Sequence, residues 1–140
     1  IDHFKQFNDR YSYAVGDLVL RTIADTLRAA VEDVGLICRY GGEEFVILLP
    51  EVSLFQAAAL AERLRQTVET TAIHTDQATL AVTISLGVST WMPESTTTSI
   101  NTVEEIITQL IETTGRMLHI AKSSGRNRVA VASTYVQQAP

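Results

Sequence analysis

A pair of glycines between two apolar runs is the feature that most constrains the fold of this chain. Residues 36–40 and 44–49 are short and apolar, and Gly41-Gly42 separates them. Glycine adopts positive φ readily, as the central residues of a tight turn require, so the pattern predicts two antiparallel strands joined as a hairpin. The second run is apolar on both alternating faces. Such a strand is covered on both sides, which places it well inside a sheet.

Apolar residues at helical spacing predict four helices around this hairpin. They are expected at residues 2–11, with Asp2 as N-terminal cap, at 15–31, from Ser53 through Val68, and from Thr102 to Gly125. Ser53 and Thr102 each precede Gln or Glu by three residues, the spacing of a capping box.

Two further segments predict strands. Apolar residues alternate strictly with small or polar ones over residues 80–88, and residues 128–132 are expected to form a last short strand. Helices alternating with a hairpin and strands predict an α+β or α/β sandwich, with helices packed on a mainly antiparallel central sheet. The order begins with a helix where a split βαβ unit begins with a strand. We therefore expect a first strand upstream of Ile1.

Charge and composition limit the partners of the chain. Eleven basic and sixteen acidic residues give a net charge of −5, so no broad positive surface is available for nucleic acid or anionic lipid. No apolar run reaches the length of a membrane span, and no signal pattern opens the sequence. The one cysteine, Cys38, lies in an apolar run, which predicts a buried thiol in a reducing compartment. We expect a cytoplasmic protein.

The glycine turn is also acidic, because Glu43 and Glu44 follow the two glycines. Glycine lets a bulky ligand approach the backbone, and adjacent carboxylates are best tolerated where a divalent cation compensates them. The alternative, a solvated hairpin with two ordinary surface acids, stays open at this point.

Two other segments carry groups that could bind nucleotide. Lys122, Arg126 and Arg128 cluster at a helix end and could hold phosphates, although cations there are also stabilised by the helix dipole alone. Residues 2–5 open a helix whose amides could cradle phosphate, and an amide with a carboxylate, such as Asn8 with Asp17, could bind the donor edge of guanine. Taken singly, each has a plainer interpretation as a cap or a solvated residue. The histidines are too scattered for a zinc site.

Together, residues 1–9, 15–17, 39–45, 82–88 and 122–127 resemble the GGDEF family of diguanylate cyclases. The resemblance covers the chain to about Ala132, and it implies a catalytic domain over residues 1–133, followed by a tail or linker at 134–140. Members condense two GTP molecules into cyclic di-GMP and pyrophosphate, on a fold related to nucleotidyl cyclases and polymerase palms. This function is implied by the resemblance.

The resemblance also implies roles for the acidic turn and the start of the chain. Glu43 would bind Mg²⁺ (or Mn²⁺) and activate the attacking 3′-hydroxyl, and Glu44 would support the same site. The main-chain carbonyl of Ile1 would contribute to the metal. Amides around His3, Phe4 and Lys5 would bind phosphate, and Lys5 would stabilise charge in the transition state.

The remaining implied roles concern the nucleotide and the product. Asn8 and Asp17 match the guanine-binding pair, and adenine would leave Asp17 unpaired. Lys122 and Arg126 match the cations that hold the terminal phosphate. Arg63 matches a secondary contact of the inhibiting product.

A product built from two nucleotides requires two domains facing each other, so a homodimer is expected. The resemblance also implies an upstream sensory region. Two other hypotheses remain. One is a degenerate GTP-binding or protein-interaction module, and the other is a structural domain without ligand.

Departures from the family pattern lead to further expectations. The family's first metal-binding Asp lies just before Ile1, so we expect the isolated chain to have little or no activity. Ser12-Tyr13 stands in place of Gly-His, and Gly115 and His119 replace the common Asp and Tyr. Residues 32–35 lack the Arg-x-x-Asp motif, so we expect no product inhibition through that surface.

Overall fold

The computed structural model describes residues 1–76, 78–92 and 102–132. Helices in these ranges are α1 (Phe4–Tyr11), α2 (Tyr13–Val31), α3 (Leu54–Thr70) and α4 (Val103–Ser123). Strands are β1 (Leu36–Gly41), β2 (Glu44–Leu48), β3 (Ile73–His74), β4 (Thr79–Leu80), β5 (Leu86–Val88) and β6 (Val129–Val131). The predicted α+β class, with helices packed on mainly antiparallel strands, is confirmed. The predicted tail at 134–140 lies outside the described residues.

The strands of the described residues form two-stranded ladders. β1 pairs with β2 and β3 pairs with β4, both antiparallel, while β5 and β6 are parallel. Helix α4 packs against β5 and β6, and α2 packs against both α3 and β1. A parallel pair needs a crossover connection, and α4 lies in the segment between β5 and β6.

The hairpin forms as predicted, but its turn lies one residue later. Gly41 pairs with Glu44 in the register, so the two turn residues are Gly42 and Glu43. Gly42 has a φ of 43°, whereas Gly41 belongs to β1 and does not have a positive φ. An irregularity between Arg39 and Gly41 shifts the register there. Glu43 is thereby held at the tip of the hairpin and Glu44 at the start of β2.

The prediction of one continuous strand over residues 80–88 is wrong. Ladder pairing is limited to β4 and β5, and residues 81–85 between them are not in a strand. The alternation still decides which side chains are buried, since Leu80, Val82 and Ile84 all belong to the core. Side-chain burial follows the sequence pattern, whereas a ladder also requires a neighbouring strand.

The start of the chain lies between the hairpin and residues 81–85. The Ile1 amino nitrogen donates to the Glu43 carbonyl oxygen at 3.0 Å, and the Asp2 backbone nitrogen donates to the Thr83 oxygen at 2.9 Å. Residues 1 and 2 thus bond to both neighbours as a central strand would.

The core lies where α2 and α3 meet the strands. On α2 the buried residues recur at nearly every fourth position, which confirms the predicted helical stripe. Both predicted capping boxes are present, at Ser53 with Gln56 and at Thr102 with Glu105. The largest fully buried side chains are Ile23, Ile73, Val19, Val31 and Val68. Each such side chain contributes about 1.5–3 kcal/mol through burial.

The prediction of a buried Cys38 thiol is wrong, because this side chain is exposed. Successive side chains of a strand point to opposite faces. Ile37 packs against the core and Cys38 therefore points away from it. Among the described residues, no helix is both long and apolar enough to cross a membrane.

Candidate functional site

Three segments that are far apart in sequence meet at the start of the chain. Ile1 donates to the Glu43 carbonyl oxygen in the hairpin turn, as described above. Lys122, in the last turn of α4, donates from Nζ to Glu44 Oε1 at 3.3 Å. The fold therefore brings the acidic turn, the N-terminal segment and the cationic end of α4 together.

The two glutamates of the acidic turn differ in their contacts. Both are half-buried. Glu44 forms the ion pair with Lys122, in which the two side chains are 45% and 28% exposed, respectively. Within the described ranges, no hydrogen bond or ion pair reaches the Glu43 carboxylate. Glu43 is thus the carboxylate of this turn that is available to an added cation.

Asp2 is not the helix cap that the sequence predicted. His3 is the N-terminal cap of α1, with a φ of 56° and no side-chain capping bond. The Asp2 side chain is buried instead, with 5% of the residue exposed. Its Oδ1 accepts from Ser85 Oγ at 2.7 Å, and its Oδ2 accepts from Thr83 Oγ1 at 2.8 Å. Because the carboxylate accepts from these donors, which are distant in sequence, it does not cap the first amides of α1.

The Asp2 carboxylate has a third donor, the backbone nitrogen of Asn127, at 3.0 Å from Oδ2. Burial by itself raises the pKa of Asp2. The hydrogen bonds from Ser85, Asn127 and Thr83 more than compensate and hold the pKa below its usual range. Asp2 is therefore ionised under neutral conditions, and its charge is satisfied by the protein.

The start of α1 offers uncapped backbone amides. Helix α1 begins at Phe4, which is buried, while His3 and Lys5 are exposed. The first amides of a helix have no acceptor inside it, and no side chain caps those of α1. Such amides bind anions well because the helix dipole adds to their partial charge.

At the corner between α1 and α2, Asn8 packs against Gly16, the residue before Asp17. Gly16 permits this approach, because a Cβ on Gly16 would collide with Asn8 Oδ1. The Oδ1 atom is buried and has no hydrogen-bond partner in the described structure. Asp17 follows Gly16 directly and is exposed. An unsatisfied buried acceptor costs about 1–3 kcal/mol.

The same corner contains a strained residue. Ser12 has φ 133° and ψ 163°, a region that essentially only glycine adopts without strain. It also caps α2 through a 3.4 Å contact between Ser12 Oγ and the nitrogen of Val15. The following Tyr13 is 80% exposed. The departure noted at residues 12–13 thus has a physical cost.

The cationic segment forms a tight turn after α4. The Arg126 nitrogen donates to the Ala121 oxygen at 3.0 Å, and Arg126 and Asn127 have φ values of 61° and 46°. Arg128 Nε donates to the Arg126 oxygen at 3.0 Å. No hydrogen bond or ion pair of the Arg126 guanidinium is present among the described residues. Lys122 and Arg126 could both reach an added anion.

Sequence reasoning missed a polar network that joins this turn to α3. Arg65 donates to Glu62, to Glu69 and to Asn127 Oδ1, the last at 2.8 Å. Asn127 Nδ2 donates to Glu69 Oε1 at 2.7 Å. The helical spacing of Arg65 with its two glutamates is a detectable signal. The contacts of Asn127 with α3 and with Asp2 have no such signal.

Among the described residues, the predicted product contact at Arg63 makes no bond to the acidic turn, and the predicted metal site lacks a full set of protein ligands. Arg63 lies on the exposed surface of α3, and its side chain makes no hydrogen bond or ion pair in the described ranges. Those ranges also contain no group of three or more His, Cys, Asp and Glu side chains that could hold a metal by themselves. A metal here would need other oxygen ligands.

Comparison with known proteins establishes the family. The family model for "Diguanylate cyclase, GGDEF domain" matches residues 1–128. The chain belongs to this family. Diguanylate cyclase A of Treponema denticola is 36% identical over 139 residues, which cover 99% of this chain and 35% of that protein. This GGDEF domain thus spans about a third of the length of that relative.

Solved structures agree in fold. The active GGEEF domain of a diguanylate cyclase from Vibrio cholerae superposes with a TM-score of 0.77 at 29% identity, covering 99% of this chain and 80% of that one. The GGDEF domain of DgcB from Caulobacter crescentus, in complex with c-di-GMP, gives 0.80 at 28% identity, covering 96% and 74%. The nucleotidyl cyclase-like fold expected from the motifs is confirmed.

Proposed function

We propose that this GGDEF domain is the catalytic unit of a diguanylate cyclase, which condenses two GTP molecules into cyclic di-GMP and releases pyrophosphate. One observation carries the proposal: the fold joins the acidic turn to Ile1 and, through the Glu44–Lys122 ion pair, to the cationic end of α4. Carboxylates for a metal and cations for phosphates are the two requirements of phosphoryl transfer.

The acidic turn fits Mg²⁺ or Mn²⁺. Mg²⁺ prefers oxygen ligands, keeps several waters and is usually bound by one or two carboxylates together with substrate phosphates. It therefore needs no three-residue protein cage. The free carboxylate of Glu43 and the carbonyl oxygen of Ile1 would hold it, with Glu44 in support. Bound there, the metal would neutralise the triphosphate and polarise the α-phosphoryl group.

Backbone amides and cations would hold the phosphates. The uncapped amides around His3, Phe4 and Lys5 are suited to the inner phosphates, and the Lys5 ammonium would stabilise charge that develops in the transition state. Lys122 and Arg126 would bind the terminal phosphate. Lys122 already lies within hydrogen-bond distance of the acidic turn, so a small rotation would exchange one anionic partner for another.

Asn8 and Asp17 would bind guanine. The packing of Asn8 against Gly16, the residue before Asp17, supports this assignment because it places the two side chains at the same corner. Guanine offers N–H donors on the edge where adenine offers an acceptor, so Asp17 would favour GTP over ATP.

A second copy of the domain would complete the reaction, since one domain holds one GTP. The 3′-hydroxyl of the partner's nucleotide would attack the α-phosphorus in line, with Glu43 accepting its proton. Gly41 and Gly42 support this arrangement, because a Cβ on either residue would have no neighbouring atom within 4 Å. The turn therefore leaves room for a nucleotide to approach the backbone. Arg63 remains a proposed secondary contact for product.

We expect a sensory region upstream and a cytoplasmic location, where GTP is available. A degenerate GTP-binding or protein-interaction module is the second candidate function. The strained Ser12 favours it. The isolated chain is expected to turn over GTP slowly or not at all, since the family's first metal-binding Asp would precede Ile1.

Turnover of GTP to cyclic di-GMP tests the proposal. We expect activity in a protein extended upstream of Ile1, and loss of nearly all of it in Glu43→Gln. Glu112→Gln, on the exposed surface of α4, is a control with the same change of charge. Equal turnover by wild type and Glu43→Gln would contradict the proposed role. GTP binding without turnover in the extended protein would favour the second candidate.

A further inference from the structure

The Asp2 carboxylate joins three parts of the chain, and no role proposed above uses it. We propose that Asp2 is a positioning residue: it fixes the turn after α4 against the start of the chain and so sets where Lys122 and Arg126 meet the nucleotide phosphates. This inference rests on the proposed function, since it concerns the phosphate contacts of the same site.

The first step is the attachment of Asp2 to residues 83–85. Its backbone nitrogen donates to the Thr83 oxygen, and its carboxylate accepts from the Thr83 and Ser85 hydroxyls at 2.8 and 2.7 Å. With only 5% of Asp2 exposed, water cannot replace these bonds easily. Hydrogen bonds to an ionised group are roughly twice as strong as those between neutral groups. Asp2 is therefore a fixed point of the site.

The second step is the bond from Asp2 to the turn after α4. Arg126 and Asn127 are consecutive residues with positive φ, a conformation that costs about 1–2 kcal/mol per residue relative to the right-handed helix. In this conformation the Asn127 backbone nitrogen donates a hydrogen bond to Asp2 Oδ2 at 3.0 Å. The charged acceptor thus offsets the strain in the segment that carries Arg126.

The third step is that the turn is held from a second side. Asn127 contacts Arg65 and Glu69 of α3 through its side chain, and it contacts Asp2 through its backbone. Loss of Asp2 would leave the attachment to α3 in place. We therefore expect the turn to shift relative to Ile1 rather than to unfold, and Lys122 and Arg126 would shift with it.

Comparison of GTP with GMP binding isolates this effect. Both nucleotides carry guanine and the α-phosphate, but only GTP reaches the cations that hold the terminal phosphate. Isothermal titration of the 140-residue chain in Mg²⁺ would give the ratio of the two dissociation constants. In Asp2→Asn, whose shape is nearly unchanged, we expect the preference for GTP over GMP to fall about tenfold while the affinity for GMP changes less than about twofold.

Two controls separate positioning from charge and from general damage. Asp33→Asn removes the same charge from an exposed residue and should keep the wild-type ratio. The double variant Lys122→Ala/Arg126→Ala should lose the preference for GTP over GMP. Adding Asp2→Asn to this double variant should not change the ratio of dissociation constants further. That non-additivity would show that Asp2 acts through the two cations.

The outcomes are distinct. If Asp2→Asn keeps the wild-type ratio while the double variant loses it, the positioning role is wrong and the proposed function stands. If the wild-type chain binds neither nucleotide, this inference is overturned, whereas turnover by the protein extended upstream of Ile1 decides the proposed function separately. Should Asp2→Asn fail to fold, Thr83→Val and Ser85→Ala each remove one donor to the carboxylate. Each is expected to lower the ratio about threefold, and an unchanged ratio in both would refute the inference.

Discussion

Replacing Gly87 by alanine should destabilise the domain sharply, because β5 and α4 are in backbone contact there. A Cβ on Gly87 would collide with the Thr114 carbonyl oxygen and the Leu118 nitrogen, and it would lie 3.1 Å from Leu118 Cα. All three atoms belong to the backbone of α4, so a side-chain rotation cannot relieve the collision. The helix itself would have to move away from the strand.

The cost can be estimated from known overpacking. Inserting a methyl group into a well-packed interior costs about 1–3 kcal/mol, and the upper end applies here because a whole helix must shift. Gly115→Ala is a matched control on the same helix, since its Cβ would have no neighbour within 4 Å. An alanine inside a helix is about 1 kcal/mol more favourable than glycine. We therefore expect the two variants to differ by about 4 kcal/mol in the free energy of unfolding.

Urea unfolding followed by circular dichroism would measure both changes, provided that the m-value stays constant. The displacement should also have a functional effect. Lys122 lies one turn after Leu118, so a shift of α4 would separate Lys122 from Glu44 and weaken GTP binding in Gly87→Ala but not in Gly115→Ala. Equal stability of Gly87→Ala and wild type would refute the close packing on which this reasoning depends.

Three further predictions concern the α1–α2 corner and Asp2. Ser12→Gly should raise the free energy of unfolding by about 1 kcal/mol, because relief of strain exceeds the few tenths lost with the weak cap on Val15; a lower melting temperature would contradict this. Gly16→Ala should push Asn8 out of place and reduce discrimination of GTP from ATP, measured as a ratio of dissociation constants; an unchanged ratio would count against the guanine assignment. Because the folded pKa of Asp2 is lowered, its stabilisation is complete above the unfolded value of about 4 and is lost as the pH falls through the folded pKa. The free energy of unfolding should therefore fall less steeply with decreasing pH in Asp2→Asn than in wild type. The same dependence on acid pH in both proteins would refute the lowered pKa of Asp2.

Much of the secondary structure could be predicted because its causes are local. Both capping boxes and the stripe of α2 follow from residues three or four positions apart, and all three are confirmed. The hairpin was predicted for the same reason. Its turn lies at Gly42 and Glu43 because the register irregularity near Tyr40 moves the pairing by one residue. The sequence pattern of two adjacent glycines cannot distinguish these registers.

The errors share a different cause, which is a partner distant in sequence. Asp2 has a suitable position for a cap, but Thr83, Ser85 and Asn127 bind its carboxylate. Residues 81–85 alternate like a strand, yet a strand exists only where a neighbour completes the ladder. Cys38 lies in an apolar run, and its exposure depends on which face of β1 the helix α2 covers. No local pattern contains this information.

The Glu44–Lys122 ion pair links the charge of the acidic turn to the binding of phosphate. Without nucleotide, the Lys122 ammonium compensates part of the negative charge of the acidic turn. The repulsion between the two adjacent carboxylates is thereby reduced. If Lys122 turns to a phosphate, that compensation is removed at the moment when the nucleotide brings further negative charge. A divalent cation at Glu43 would restore the balance. We therefore expect metal and triphosphate to bind cooperatively, since each supplies the charge that the other requires, and by thermodynamic linkage each must raise the affinity for the other by the same factor.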